Sequence, residues 1–152
     1  MTKCRVCKNK LSKVFCDLNK TPLANSYRNS LGKIDEEIHY PLKVFLCSNC
    51  MLVQLPETVV PKDIFTDYPY FSSYSSNWLN HTSQLCEETI KKFSLQRDDL
   101  IIEIASNDGY LLKEFKKNDY NNILGIEPAK NIANYANDQN INTENIFFNE
   151  ES

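Results

Sequence analysis

Glycine is scarce in this 152-residue chain: only Gly32, Gly109 and Gly125 are present. With so few, each is expected where backbone geometry demands it. The scarcity also weighs against a function class. A G-x-G-x-x-G fingerprint cannot be written around Gly109 alone, which disfavours a pyrophosphate cradle for NAD or FAD. Long apolar runs are missing, and none approaches the ~18–20 residues of a membrane span. Met1-Thr2-Lys3-Cys4 has no apolar segment of the secretory kind, so the expected compartment is the cytoplasm. Basic excess is missing too: 17 Lys and Arg stand against 20 Asp and Glu, a net charge of −3. A general nucleic-acid binder usually needs a basic face, so that class ranks last.

The remaining composition is that of a globular chain, 41% hydrophobic and 24% charged, long enough for one ordinary domain or two small ones. Asparagine is frequent, as in Asn121-Asn122, and is read as a coding bias.

The cysteines carry the strongest pattern. Cys4-Arg5-Val6-Cys7 and Cys47-Ser48-Asn49-Cys50 are two C-x-x-C pairs. Each pair can turn two thiolates toward one point, and two such knuckles complete a four-thiolate zinc site with no open position for catalysis. A redox C-x-x-C and a disulfide framework are the competing readings. The second pair lies between two strand-like runs, 41–46 and 51–55, which is the local shape of a zinc ribbon. Four sulfurs cannot by themselves tell zinc from iron. Cys16 and Cys86 have no partners in the pattern and are expected to be ordinary buried thiols. Residues 17–25 read as turn and extended chain, because Pro22 blocks helix. So small a domain is expected to rely on its metal.

Residues 64–78 are dense in aromatics and hydroxyls without a clean period. Two readings stay open: a linker whose rings pack a seam, or a pocket wall of apolar bodies with polar tips. A helix is expected over about 76–93, with Leu85, Ile90 and Phe93 as its buried stripe.

From residue 98 the pattern is strand, small turn, helix, strand. Residues 98–104 fit a buried parallel strand, and Ala105-Ser106-Asn107-Asp108-Gly109 is a small-residue turn. Residues 110–115 begin a helix with Leu111, Leu112 and Phe115 on one side. Residues 123–127 form a second strand ending in Glu127, and Pro128 opens the next helix at its first position. Glu127 lies 24 residues after Glu103 (103 to 127), near the ~20-residue offset of a ribose-binding acid. One late glycine suits S-adenosylmethionine, which carries adenosine and an amino acid but no phosphate. A generic α/β domain with a polar turn is the alternative.

Taken in order, these pieces resemble a known family. They are Cys4–Cys7; Thr21-Pro22-Leu23-Ala24-Asn25-Ser26; Tyr40-Pro41-Leu42; Cys47–Cys50 with Leu52-Val53-Gln54-Leu55; the Tyr-Pro-Tyr-Phe-Ser-Ser core within 65–76; 102–109; and Gly125-Ile126-Glu127-Pro128-Ala129. The chain resembles the N-terminal half of the sugar C-methyltransferases, which join a zinc-binding domain to an S-adenosylmethionine-dependent class I methyltransferase domain. The resemblance implies a mixed α+β and α/β architecture: a small zinc-ribbon-like domain at 1–57, an aromatic and serine-rich linker with a helix at 58–97, and the truncated start of a Rossmann-like methyltransferase domain at 98–152. It implies structural zinc on Cys4, Cys7, Cys47 and Cys50. It implies S-adenosylmethionine at Tyr68, Glu103, Ala105, Ser106, Asn107, Asp108, Gly109, Glu127 and Pro128. Tyr70, Tyr74 and His81 are the pocket candidates, and the catalytic base is unassigned.

The implied reaction methylates C3 of a nucleotide-linked 4-keto deoxysugar, making a nucleotide sugar the expected partner. Family members are more than twice as long, so the remaining strands and the family's acid–base cluster are expected to be missing here. The chain alone is therefore expected to be inactive, and its unfinished sheet edge to be open to self-association. Ala105 replaces the first glycine of the family's turn. The alternative function is a stand-alone structural zinc-binding module with a vestigial α/β tail.

Overall fold

The computed structural model describes residues 2–27, 37–56 and 58–149; Gly32 lies outside these. The chain divides into two compact units, Met1–Ile64 and Phe65–Ser152.

The first unit is a three-stranded antiparallel sheet in the order β1-β2-β3, with β1 Lys13–Thr21, β2 Tyr40–Leu46 and β3 Val53–Gln54. β1 corrects the expectation of turn and extended chain from residue 17. The strand begins before that segment and stops at Thr21, directly ahead of Pro22. Its register against β2 shifts between Val14 and Cys16 and again between Asp17 and Lys20. Asn19 takes a left-handed φ of 63° in the second shift, which breaks the period-two signal a reader would look for. Asp17 pairs with Lys43 directly across the ladder at 2.6 Å. Cys16 is half-buried, not the buried thiol expected. Among the described residues the buried apolar core is Cys4, Leu11 and Cys47, with Cys7, Phe45 and Leu52 against it. A short helix, α1 Pro61–Phe65, follows.

The second unit is a parallel α/β layer. Helix α2 Ser76–Phe93 is capped at Ser75, whose hydroxyl accepts the Trp78 N–H. Strands β4 Ile101–Ile104, β5 Ile123–Ile126 and β6 Thr143–Glu144 lie in chain order, all parallel. Helices α3 Tyr110–Lys117 and α4 Lys130–Asp138 make the crossovers that parallel pairing requires. Leu112, Phe115, Tyr120, Ile123, Ala136 and Ile141 form the core together with Cys86 of α2.

Three expectations need correction in this unit. The buried stripe of α2 is Thr82 and Cys86, while Leu85 and Phe93 are exposed; a small hydroxyl and a thiol fit the close approach to α3. β4 is not buried on both faces. It pairs only with β5 among the described strands, and Ile102 and Ile104 are about half exposed. Pro128 does not open α4, since Ala129 is the cap and Lys130 the first helical residue.

The two described sparse glycines sit where side chains do not fit. A Cβ on Gly125 would lie 2.6 Å from Ser106 Oγ and 2.7 Å from Thr143 Oγ1. One on Gly109, at φ 73°, would lie 2.8 Å from Ile141 Cγ2.

Candidate functional site

The two C-x-x-C segments fold into the same knuckle. In the first, Lys8 N–H donates to Cys4 C=O at 3.0 Å and Cys4 N–H to Asn9 C=O at 2.8 Å. In the second, Met51 N–H donates to Cys47 C=O at 3.0 Å and Cys47 N–H to Leu52 C=O at 2.9 Å. Each turn ends on a left-handed residue, Lys8 at φ 61° and Met51 at φ 62°. Such turns leave both thiols of a pair on one side.

The four Sγ atoms all lie within 4.8 Å of one another. Cys4 and Cys50 are 3.6 Å apart, and Cys7 and Cys47 are 3.5 Å apart. A tetrahedral zinc with Zn–S bonds of about 2.3 Å needs sulfurs about 3.8 Å apart. The quartet fits that ion. Gln54 completes the shell around it: its Nε2 donates to Cys4 Sγ at 3.2 Å, and its Oε1 accepts the Arg5 N–H at 3.0 Å. The Gln54 amide, helped by the Cys7 backbone N–H, lowers the Cys4 thiol to about 6. The Asn49 side chain lowers Cys7. Cys50 receives the Leu52 N–H, yet burial and the three neighbouring sulfurs carry it up to about 12. Cys4 and Cys50 are thus pushed in opposite directions, and a dication would offset the crowding of thiolate charge between them.

The second candidate region follows β4 and β5 at their carboxyl ends. The turn alternates into the left-handed region at Ala105 (φ 57°), Asn107 (φ 49°) and Gly109 (φ 73°). Ala105 therefore occupies a position that favours glycine. Glu127 binds this turn to the next one. Its Oε2 accepts the Asn107 N–H at 2.9 Å and its Oε1 the Ala129 N–H at 2.8 Å, with the residue 6% exposed. Asn145 Nδ2 donates to the carbonyls of Glu127 and Pro128 at 2.9 and 2.8 Å.

Acidic oxygens gather behind the turn. Burial raises Glu103 to about 8, with the charges of Asp108 and Glu127 adding to the effect and the Leu112 N–H opposing it. Glu103 Oε2, Asp108 Oδ1 and Ser106 Oγ are buried without a hydrogen-bond partner. Orphaned polar atoms of this kind leave hydrogen-bonding capacity for a polar guest.

The aromatic segment lies across the same turns. Asn131 donates from Nδ2 to Tyr68 C=O at 2.8 Å and accepts the Tyr68 N–H at 3.1 Å. Asn107 accepts the Ser72 N–H at 2.8 Å and donates to Tyr70 C=O at 3.2 Å. Asp108 Oδ2 accepts the Ser73 N–H at 3.1 Å. The Phe71 ring meets Tyr135 of α4 edge-on at 5.1 Å.

The structure thus brings together Cys4, Cys7, Cys47 and Cys50 in one unit. In the other it gathers Glu103, residues 105–109, Glu127, Pro128 and the backbone of Tyr68 and Tyr70. The Tyr70 and Tyr74 side chains are 52% and 79% exposed. His81 stands exposed on α2, with its ring against Trp78 at 5.3 Å. Sequence reasoning missed Gln54, Asn131 and Asn145. Gln54 and Asn145 act through long-range contacts that no local pattern encodes. Asn131 offered one signal, an amide in the first turn of a helix, where a side chain points back toward the chain's entry.

Residues 4–65 match a family model described as a "Putative zinc binding domain". Over 143 residues, 92% of this chain, the sequence is 32% identical to a protein of Streptomyces niveus named C-methyltransferase NovU. The chain spans about a third (33%) of that relative's length. The geometry of the quartet and the matched zinc-binding family model agree, and both support zinc at these four cysteines. No described helix is long and apolar enough to cross a membrane.

Proposed function

We propose, for a chain whose sequence matches the N-terminal part of a C-methyltransferase, that the second unit is the opening of a Rossmann-like methyltransferase domain and holds S-adenosylmethionine at the ends of β4 and β5. The observation that carries this reading is the identity spanning 92% of the chain, with the 105–109 turn and Glu127 inside it. The three orphaned buried oxygens of Glu103, Asp108 and Ser106 support it, because they leave hydrogen-bonding capacity for a polar guest. When bound, the cofactor supplies an electrophilic methyl group. Residues 105–109 would line its methionine side, and Glu127 and Pro128 its ribose side. Glu127 has spare lone pairs for ribose hydroxyls, since its two oxygens accept the backbone N–H groups of Asn107 and Ala129, one each.

The acceptor we propose is a nucleotide-linked 4-keto deoxysugar. Its ketone acidifies the adjacent C–H, so a base can leave a nucleophilic carbon facing the methyl group. Tyr70, Tyr74 and His81 are exposed side chains near this unit's aromatic segment, and none is assigned as that base. We therefore expect the 152 residues alone to turn over no substrate. The zinc site is structural, and cysteines kept for a metal rather than paired in disulfides suit a reducing compartment such as the cytoplasm.

Titration calorimetry of S-adenosylmethionine into the zinc-loaded chain tests the reading. Saturable binding that Glu127→Ala abolishes, with the far-ultraviolet dichroism of the variant retained, supports it. A folded, zinc-loaded wild type that binds nothing overturns it in favour of a structural zinc-binding module.

A further inference from the structure

We propose that Asn107 and Asn131 are positioning residues that latch residues 66–73 as a strap across the carboxyl ends of β4 and β5, fixing one wall of the crevice there. The proposal rests on the methyltransferase reading for what the crevice holds, but the latch itself rests on geometry.

Residues 66–71 run between α1 and a single 3-10 turn, Ser72–Tyr74, and belong to no strand. Their peptide groups need partners from elsewhere. Two asparagines supply them, each acting as a surrogate peptide. Asn131 both accepts from and donates to Tyr68, and Asn107 accepts from Ser72 while donating to Tyr70. Lys130 N–H donates to Thr66 C=O at 3.0 Å, and Asp108 takes the Ser73 N–H at 3.1 Å. These anchors come from two places in sequence, the turn after β4 and the first turn of α4. Both flank the crevice in which open α/β sheets hold their ligands.

Asn107 has a second task. Its backbone N–H is held by Glu127 Oε2 at 2.9 Å, so one residue couples the strap, the turn and the acid. A plain linker has no need of paired donor–acceptor contacts at Tyr68 and again at Tyr70 and Ser72. The asparagine bonds are neutral, so they hold the strap firmly enough to shape the crevice and weakly enough to release.

Hydrogen exchange read by mass spectrometry, on the full zinc-loaded chain, tests the latch, with S-adenosylhomocysteine titrated calorimetrically as the probe. Asn131→Ala is expected to speed exchange across 66–73 by about tenfold and weaken the probe about tenfold, with β5 exchange unchanged. Asn131→Asp keeps the acceptor for the Tyr68 N–H and is expected to restore part of both losses. Fast exchange at 66–73 in the wild type overturns the latch, as does Asn131→Ala exchanging like the wild type. A released strap with unchanged affinity overturns its role at the crevice. If the wild type binds no probe, the methyltransferase reading and the crevice role fail together, and exchange alone decides the latch.

Discussion

The two units reach stability by different routes. In Met1–Ile64 the described apolar core is Leu11 and two cysteines, while Val14, Phe15, Leu18 and Val53 of its sheet are substantially exposed. In Phe65–Ser152, Leu112, Ile132, Ala133, Ala136 and Ile141 are all at most 1% exposed, and hydrocarbon does the holding. The lesson is that neighbouring stretches of one chain can answer the same entropy cost with sulfur and a metal or with packed side chains.

Removing the metal should separate the units most sharply. Structural zinc sites carry apparent binding energies of about 10–16 kcal/mol near neutral pH, which is folding energy for the unit that holds them. Chelation, or Cys47→Ser, should release one zinc per chain and collapse the amide spectrum of residues 2–56. Resonances from β4, β5 and β6 should persist; their loss would mean that the metal also supports the sheet.

The converse change is Leu112→Ala. A cavity at a fully buried leucine should cost about 2–5 kcal/mol in the second unit, seen in its denaturation midpoint, with zinc content unchanged.

Glu103 sharpens the comparison through pH. Its folded pKa, about 8, lies above the ordinary carboxylate value near 4.3, so between those limits the native state keeps a proton that the unfolded chain has released. Stability of the second unit should therefore be fullest below about pH 4.3 on this account and fall as pH rises toward 8. Glu103→Gln should abolish that slope, gaining on the order of a few kcal/mol at pH 8–9. A parallel pH profile for variant and wild type would count against the buried, repelled carboxyl.

The smallest effect is expected at Ala105. Replacing it with glycine at φ 57° should gain roughly 0.5–1 kcal/mol, readable as a modest rise in melting temperature. A loss there would mean that the methyl group packs more than it strains.

Legibility followed locality. The cysteine pairs encode their own knuckles, and the strand–turn–helix spacing of 101–117 and 123–138 depends on neighbours close in sequence, so both were readable. β1 was not, because its partners lie 19 to 33 positions away (Thr21 with Tyr40, Lys13 with Leu46) and two register shifts scramble its alternation. The stripe on α2 was misread for a related reason. Apolar size pointed to Leu85 and Phe93, whereas close helix packing selected the smaller Thr82 and Cys86. At the candidate site, the turn with Asn107 and Glu127 stood out in the sequence as candidates, but Asn131 and Asn145 did not. An amide that satisfies a distant backbone looks in sequence like any other asparagine, and this chain has many.

The paired knuckles also set a schedule. Cys7 and Cys47 stand 40 residues apart, and a chain grows at about 5–20 residues per second, so the first half-site waits about 2–8 s for the second. During that interval two thiols face solvent with their turn already closed by local hydrogen bonds. Whatever ion they meet must be held by two sulfurs and borrowed ligands until Cys47 and Cys50 arrive. The complete four-sulfur site therefore exists only once both halves have been made, however early the first knuckle closes.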